Sequence, residues 1–190
     1  MKIVLIRHPE PDVKPGICYG RRLDLALTPA GLLVAKSLGA HPSLDGLKAI
    51  WSSPARRCRI AAEMMSDHLN LPLSIDPRLH EFDFGEWEGR KWDHIPRDNF
   101  DRWAAETMTF RPPGGETAAD LVGRITEFVR ECIAANEDCA IVSHGGPLKI
   151  LSAQFRGQHA DPLAPSHAFG VPVVIDPVVV KAPLSADPPA

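Results

Sequence analysis

Hydrophobic positions in this chain fall either into short unbroken runs or into longer periodic stretches. Ile3 to Ile6 is one aliphatic run and Ala140 to Val142 another. Each stops abruptly at a polar cluster containing a histidine, Arg7–His8 in the first case and Ser143–His144 in the second. Branched runs of this kind predict strands buried on both faces of a parallel sheet.

The periodic stretches predict helices. LTPAGLLVAKSLG places Thr28 as N-cap, Pro29 at the first helical position and Gly39 as a stop, and SSPARRCRIAAEMMSDHLN repeats the device with Ser53 and Pro54. In GGETAADLVGRITEFVRECIAANED, Leu121, Ile125, Phe128, Val129, Cys132 and Ile133 recur at three- and four-residue spacing, which predicts an apolar stripe lying on a sheet face. Strand and helix alternate, so the expected fold class is α/β: a three-layer α/β/α sandwich with a mostly parallel central sheet. Such sheets bind ligands beyond the carboxyl ends of their strands, where both histidine clusters fall. FGVPVVIDPVVV mixes branched residues with Pro172 and Pro177 and reads as edge strands or an extended arm. The expected organisation is one domain over residues 1–181 and a flexible tail over 182–190.

Composition narrows the function. A chain of 190 residues with 44% hydrophobic content suits one domain with a real core. With 21 Lys and Arg against 24 Asp and Glu, the net charge of -3 gives no global field for nucleic acid or an anionic membrane, so affinity for an anion must be built locally. No run reaches the length of a membrane span, and Ile3 to Ile6 is too short for a signal-peptide core, so the expected location is cytoplasmic. The scattered Cys18, Cys58, Cys132 and Cys139 contain no C-x-x-C pair and are expected to be reduced, packed thiols. The oligomeric state is not readable.

The chemistry gathers around the two strand ends. Single histidines are usually surface or structural residues, but two delivered to one sheet edge with Arg7 alongside form a constellation. A neutral imidazole attacks without an activating base, and a guanidinium beside it both lowers its pKa and binds a dianion such as phosphate. The segment opened by SSP adds Arg56, Arg57 and Arg59 near a helix N-terminus, where free N–H groups also favour an anion; periodicity does not choose among them, and a solvated patch pairing with Glu63 and Asp67 explains them equally well. RLHEFDFGEWEGRKW places Glu81, Asp83, Glu86 and Glu88 among aromatics, a setting that raises a carboxyl pKa toward the range of a general acid, although carboxylates facing water from an anchored loop fit as well. PPGGET reads as a tight turn with exposed N–H groups, a further weak anion signal. No nucleotide loop, H-E-x-x-H or clustered Asp suggests a metal or a cofactor.

In order along the chain, LIRHPE, SSPARRC, RLHEFDFGEWEG, PPGGET and IVSHGG resemble the motifs of the histidine phosphatase superfamily, which includes phosphoglycerate mutase-like enzymes, over roughly residues 2 to 150. The resemblance implies that His8 is a nucleophile that becomes phosphorylated and that Glu81 is the acid protonating the leaving group. It implies that Arg7, Arg57 and His144 form the phosphate pocket, with Gly145 beside them and a small-molecule phosphate monoester as partner. PDVKPGICYG together with DFGEWEGRKWD is most similar to the alpha-ribazole phosphatases of cobalamin biosynthesis; on that likeness Tyr19 and Trp87 are expected to pack against the flat heterocycle of the substrate. The alternatives are a mutase-type phosphotransferase, a broad-specificity phosphatase and a catalytically silent phosphate-binding module. Pro9 departs from the family's glycine and removes a backbone N–H, and the longer GRRLDLALT leaves open whether Arg21 or Arg22 faces substrate.

Overall fold

The computed structural model describes residues 1–162 and 164–178. The two aliphatic runs are the adjacent central strands of a five-stranded sheet of order β3-β2-β4-β1-β5. These are β1 (Ile3–Arg7), β2 (Ala49–Ser52), β3 (Leu73–Ile75), β4 (Cys139–Ser143) and β5 (Pro172–Ile175). The first four run parallel, and β5 is antiparallel to β1 at one edge. The proline-containing segment read as edge strand or arm therefore supplies one edge strand, with Pro172 at its first residue, where the missing N–H is tolerated.

Alternation along β1 explains the layering. Val4 and Ile6 face the helices α1 (Pro29–Leu38) and α2 (Arg56–Leu69), packing with Leu38, Ala61 and Met65. Ile3 and Leu5 face α4 (Ala118–Ala135) and α5 (Gly145–Phe155), packing with Ile125, Phe128 and Leu151. A short α3 (Arg97–Ala105) lies in the irregular stretch between β3 and α4.

Thr28 caps α1 and Pro29 opens it as the sequence predicts, and Thr117 with Asp120 closes a reciprocal capping box on α4. Two helix expectations are corrected. The helix after SSP starts at Arg56, with Ala55 at the cap position and no side-chain cap; Ser53 is committed to His144, and Asp24 from another loop accepts the Arg56 N–H at 2.7 Å. Ile133, assigned to the buried stripe, is 39% exposed, because it lies one residue past Cys132, the last member of that face to be buried. The expected tail, residues 182–190, and the expected domain limit at 181 lie outside the described residues.

Candidate active site

Parallel pairing brings the two histidine clusters together. Arg7 and Ser143 are register partners at the ends of β1 and β4, and the His8 N–H donates to the Ser143 carbonyl at 2.9 Å. The His8 and His144 rings consequently lie 5.2 Å apart, edge to face, both almost completely buried. His8 Nδ1 lies 2.7 Å from the Pro9 carbonyl oxygen. A carbonyl only accepts, so Nδ1 carries the proton and Nε2 keeps its lone pair. Proline at this position thus gives up an N–H while its carbonyl fixes the tautomer.

Burial first, then the charges of Arg57 and Arg7, push the His8 pKa down to about 3. His144 is held well below the usual histidine range, by burial and then by Arg57 and His8. His144 Nε2 is 2.8 Å from the Ser53 hydroxyl, and the Cys58 thiol lies against the same ring.

Arg7 and Arg57 complete this end of the site. The fully buried Arg57 donates to the carbonyls of Gly20 and Leu23, both at 2.8 Å. Arg7 donates to the His167 carbonyl at 3.0 Å, lines the same cleft as Tyr19 and stacks on Phe169, whose ring centre is 3.9 Å from the guanidinium carbon. Each has a buried Nε without a partner, and among the described residues neither forms an ion pair, unlike Arg22, Arg59, Arg78 and Arg124. Arg57, buried and held by carbonyls, and the half-buried Arg7 are thus electrostatically uncompensated and favour an incoming anion. Arg56 and Arg59 do not join them: both are exposed, and Arg59 pairs with Glu63 at 2.8 Å.

Glu81 faces the cluster from the segment after β3. Its Oε1 accepts from the Phe82 N–H at 2.9 Å and from the Gly146 N–H, in the first turn of α5, at 3.2 Å. A Cβ on Gly146 would lie 2.6 Å from that oxygen, so glycine is what permits the approach. A cleft of about 280 Å³ is lined by the polar Arg7, Tyr19, Glu81 and Lys149 with Gly145, and by the rings of Phe84, Trp92 and Trp103; His8, Arg57 and His144 adjoin it through Arg7 and Gly145 and are not among its lining residues.

A family model of the histidine phosphatase superfamily (branch 1) matches residues 3–168. The chain belongs to this superfamily. It is 29% identical over 162 residues to phosphoserine phosphatase 1 of Hydrogenobacter thermophilus, covering 83% of this chain and 77% of the relative. It is 28% identical over 160 residues to the adenosylcobalamin/alpha-ribazole phosphatase of Salmonella typhimurium, covering 81% and 79%. The solved alpha-ribazole phosphatase of Shigella flexneri superposes with a TM-score of 0.83 at 26% identity, covering 93% of this chain and 90% of that one. The chain is a phosphatase of the phosphoglycerate mutase-like fold.

Several side chains of this histidine phosphatase stand elsewhere than the sequence suggests. Trp87, expected against the substrate ring, is 2% exposed and packs with Cys18, Ile95 and Phe110 beneath the loop, outside the cleft. A turn of 3-10 helix at Gly85–Trp87 points it inward. The PPGGET turn is no anion site: the Gly115 and Glu116 N–H groups donate to Pro112 and Asp83 carbonyls. Arg22 is tied to Asp83 at 2.8 Å and to the Gly114 carbonyl, so of the two adjacent arginines it is the structural one. Among the described residues, no group of three or more His, Cys, Asp or Glu is arranged to hold a metal ion.

Sequence reasoning gave no site role to Trp92, Trp103 or Phe169, and did not anticipate what Glu88 does. Glu88 accepts from the Gly20, Arg22, Leu23 and Phe84 N–H groups, and so holds the loop whose carbonyls orient Arg57. Its sequence signal, a carboxylate between Trp87 and Gly89, is the same as that of its exposed neighbour Glu86. Phe169 stacks on His8 at 5.4 Å through a segment for which the sequence offers no motif.

Proposed function

We propose that this phosphatase hydrolyses small phosphate monoesters without a metal ion through a phosphohistidine at His8. The observation that carries the reading is the neutral, buried His8 imidazole flanked by the buried Arg57 and the half-buried Arg7, with neither of which any carboxylate among the described residues pairs. In the first step His8 Nε2 attacks phosphorus, the bond from phosphorus to the ester oxygen breaks, and Glu81 gives its proton to the departing alkoxide. In the second step the Glu81 carboxylate takes a proton from water, the water oxygen attacks phosphorus, and the P–N bond breaks to release inorganic phosphate. Arg7, Arg57 and His144 bind the phosphoryl oxygens and stabilise the charge that spreads over them in each transition state.

The substrate we favour carries a flat ring on its leaving group, as alpha-ribazole 5′-phosphate does. Support comes from the aromatic wall of Phe84, Trp92 and Trp103 and from the similarity to alpha-ribazole phosphatases. Tyr19 we assign to the phosphate end, because its ring lies 5.6 Å from the Arg57 guanidinium carbon and it lines the cleft together with Arg7. We place the enzyme in the cytoplasm: its four cysteines are buried free thiols, which suits a reducing compartment, and no helix among the described residues is long and apolar enough to cross a membrane.

Acid and base quenches after mixing with phosphorus-labelled substrate test the nucleophile. Label should be labile in acid and stable in base, absent from His8→Ala, and turnover should survive chelator; label on a hydroxyl side chain, or metal-restored activity, overturns the chemistry. Comparison of kcat/KM on alpha-ribazole 5′-phosphate, phosphoserine, 3-phosphoglycerate and sugar phosphates tests the substrate. A ribazole ester no better than the others overturns the specificity and leaves the chemistry standing.

A further inference from the structure

Glu81 stands in a stretch that secondary structure does not hold. It follows a single turn of 3-10 helix at Pro77–Leu79 and precedes another at Gly85–Trp87, so the carbonyls around it have no strand or helix partner. One side chain from α4 takes three of them instead. Arg124 Nη1 donates to the carbonyls of Arg78 and His80, the latter at 2.7 Å, and Nη2 donates to the carbonyl of Glu81 itself at 3.1 Å.

The same guanidinium is paired with Glu116 by contacts of 2.8 and 3.2 Å, with only 15% and 12% of the two side chains exposed. Glu116 completes the clamp from the other side: its Oε1 accepts from the Asp83 N–H at 3.0 Å, and its own N–H donates to the Asp83 carbonyl at 2.9 Å. Backbone groups on both sides of Glu81 are therefore anchored by one ion pair. A helix supports that pair, and the capping box of Thr117 and Asp120 fixes the helix start. A planar fork with five donors serves three carbonyls and a carboxylate at once, which a lysine ammonium does not.

We propose that Arg124 and Glu116 are positioning residues for the acid–base step, setting where the Glu81 carboxyl stands relative to the leaving oxygen. Neither is among the residues that line the cleft. The proposal rests on the reading of Glu81 as general acid. Misplacement of a catalytic group by about 1 Å costs roughly a hundredfold in rate, and in the transfer to His8 a loss that arises in this way falls on esters whose leaving group needs the proton. A merely structural role falls on all substrates alike.

The test compares an alkyl phosphate, whose leaving group must be protonated, with 2,4-dinitrophenyl phosphate, whose leaving group needs no proton, and reads kcat/KM, which reports transfer to His8 and not the later attack of water that both esters share. Arg124→Gln is expected to lower kcat/KM on the alkyl ester roughly 30- to 100-fold and on the dinitrophenyl ester by less than about threefold; Arg124→Lys should fall between it and wild type. Arg124→Gln/Glu116→Gln removes both charges together and leaves no buried carboxylate unpaired, so it carries the test if the single variant does not fold. In a Glu81→Gln background the Arg124 substitution should cost the alkyl ester almost nothing more, because both changes remove one step. Equal losses on the two esters, no loss on either, or full additivity with Glu81→Gln overturns the proposal. If Glu81→Gln itself slows both esters equally, the general-acid reading fails and takes this proposal with it.

Discussion

The phosphate end of the site and the aromatic wall beside it, here its other end, are built by different means. The phosphate end sits on strand termini: His8 and His144 follow β1 and β4, whose pairing fixes their separation, and Arg57 is buried in the first turn of α2. The other end is a wall of Phe84, Trp92 and Trp103 drawn from the irregular stretch and the short α3 between β3 and α4. The polar end is anchored by the backbone of the sheet, while the apolar end is held by the packing of aromatic rings on one another, with Phe84 5.2 Å from Trp92 and 6.5 Å from Trp103. A rigid scaffold fixes the chemistry, and the less regular segment beside it sets what the chemistry acts on.

The sharpest way to break this division is to remove a cation from the phosphate end. Arg57→Ala should lower kcat/KM by roughly 10³-fold or more on every phosphomonoester, whatever its leaving group. Thermal melting should show little or no destabilisation, because the wild-type guanidinium is buried without a carboxylate and its removal leaves only carbonyls to rehydrate. A loss confined to ring-bearing substrates, or a collapse of stability, contradicts the separation of the two ends.

Trp87 supplies a control on the aromatic side. Buried with Cys18, Ile95 and Phe110, it should cost about 3–5 kcal/mol of unfolding free energy when replaced by Ala. The ratio of rates on ring-bearing and small esters should be unchanged in the enzyme that remains folded. A changed ratio without a stability loss would return Trp87 to the substrate site.

Protonation gives a third probe of the phosphate end. His8 titrates near 3 in the folded protein and near 6.5 when unfolded, so below pH 6.5 the unfolded chain binds a proton that the native state excludes. Stability therefore falls as pH falls from 6.5 towards 3, and at pH 7 this group contributes almost no penalty. Denaturant unfolding of wild type should lose about 2 kcal/mol more than His8→Asn between pH 7 and pH 5. Identical pH profiles for the two proteins would place His8 in a wetter site than its burial implies.

The smallest expected effect is on specificity. Trp103→Ala and Trp92→Ala should each lower kcat/KM about tenfold on a ring-bearing ester and leave a three-carbon phosphate within about twofold. Equal effects on both esters would make the aromatic wall a support for the fold.

The two central strands, the cap of α1 and the histidine clusters at the strand ends were legible in the sequence because each is a local signal: an aliphatic run with polar residues at its end, a Thr before a helix, a histidine after a strand; β2, β3 and the Thr117 cap of α4 were not read from it. The resemblance also singled out Arg57 from three neighbouring arginines, and the tertiary structure accounts for that choice by burying it while Arg56 and Arg59 stay exposed. Trp87, Trp92 and Trp103 look alike in sequence, being aromatics amid charged residues with no period to say which way each points. Which of them enters the core and which faces the cleft depends on turns of 3-10 helix and on partners such as Phe110 and Phe84, distant or irregularly placed along the chain. Glu88 and Arg124 show the same limit for polar groups: a carboxylate that gathers N–H groups from two loops and a guanidinium that gathers three carbonyls differ from solvated charges only in what the rest of the chain brings to them. Local pattern determined where the reactive groups lie along the chain, and long-range packing decided which charges and rings are buried beside them, because burial belongs to the assembled molecule and to no single segment.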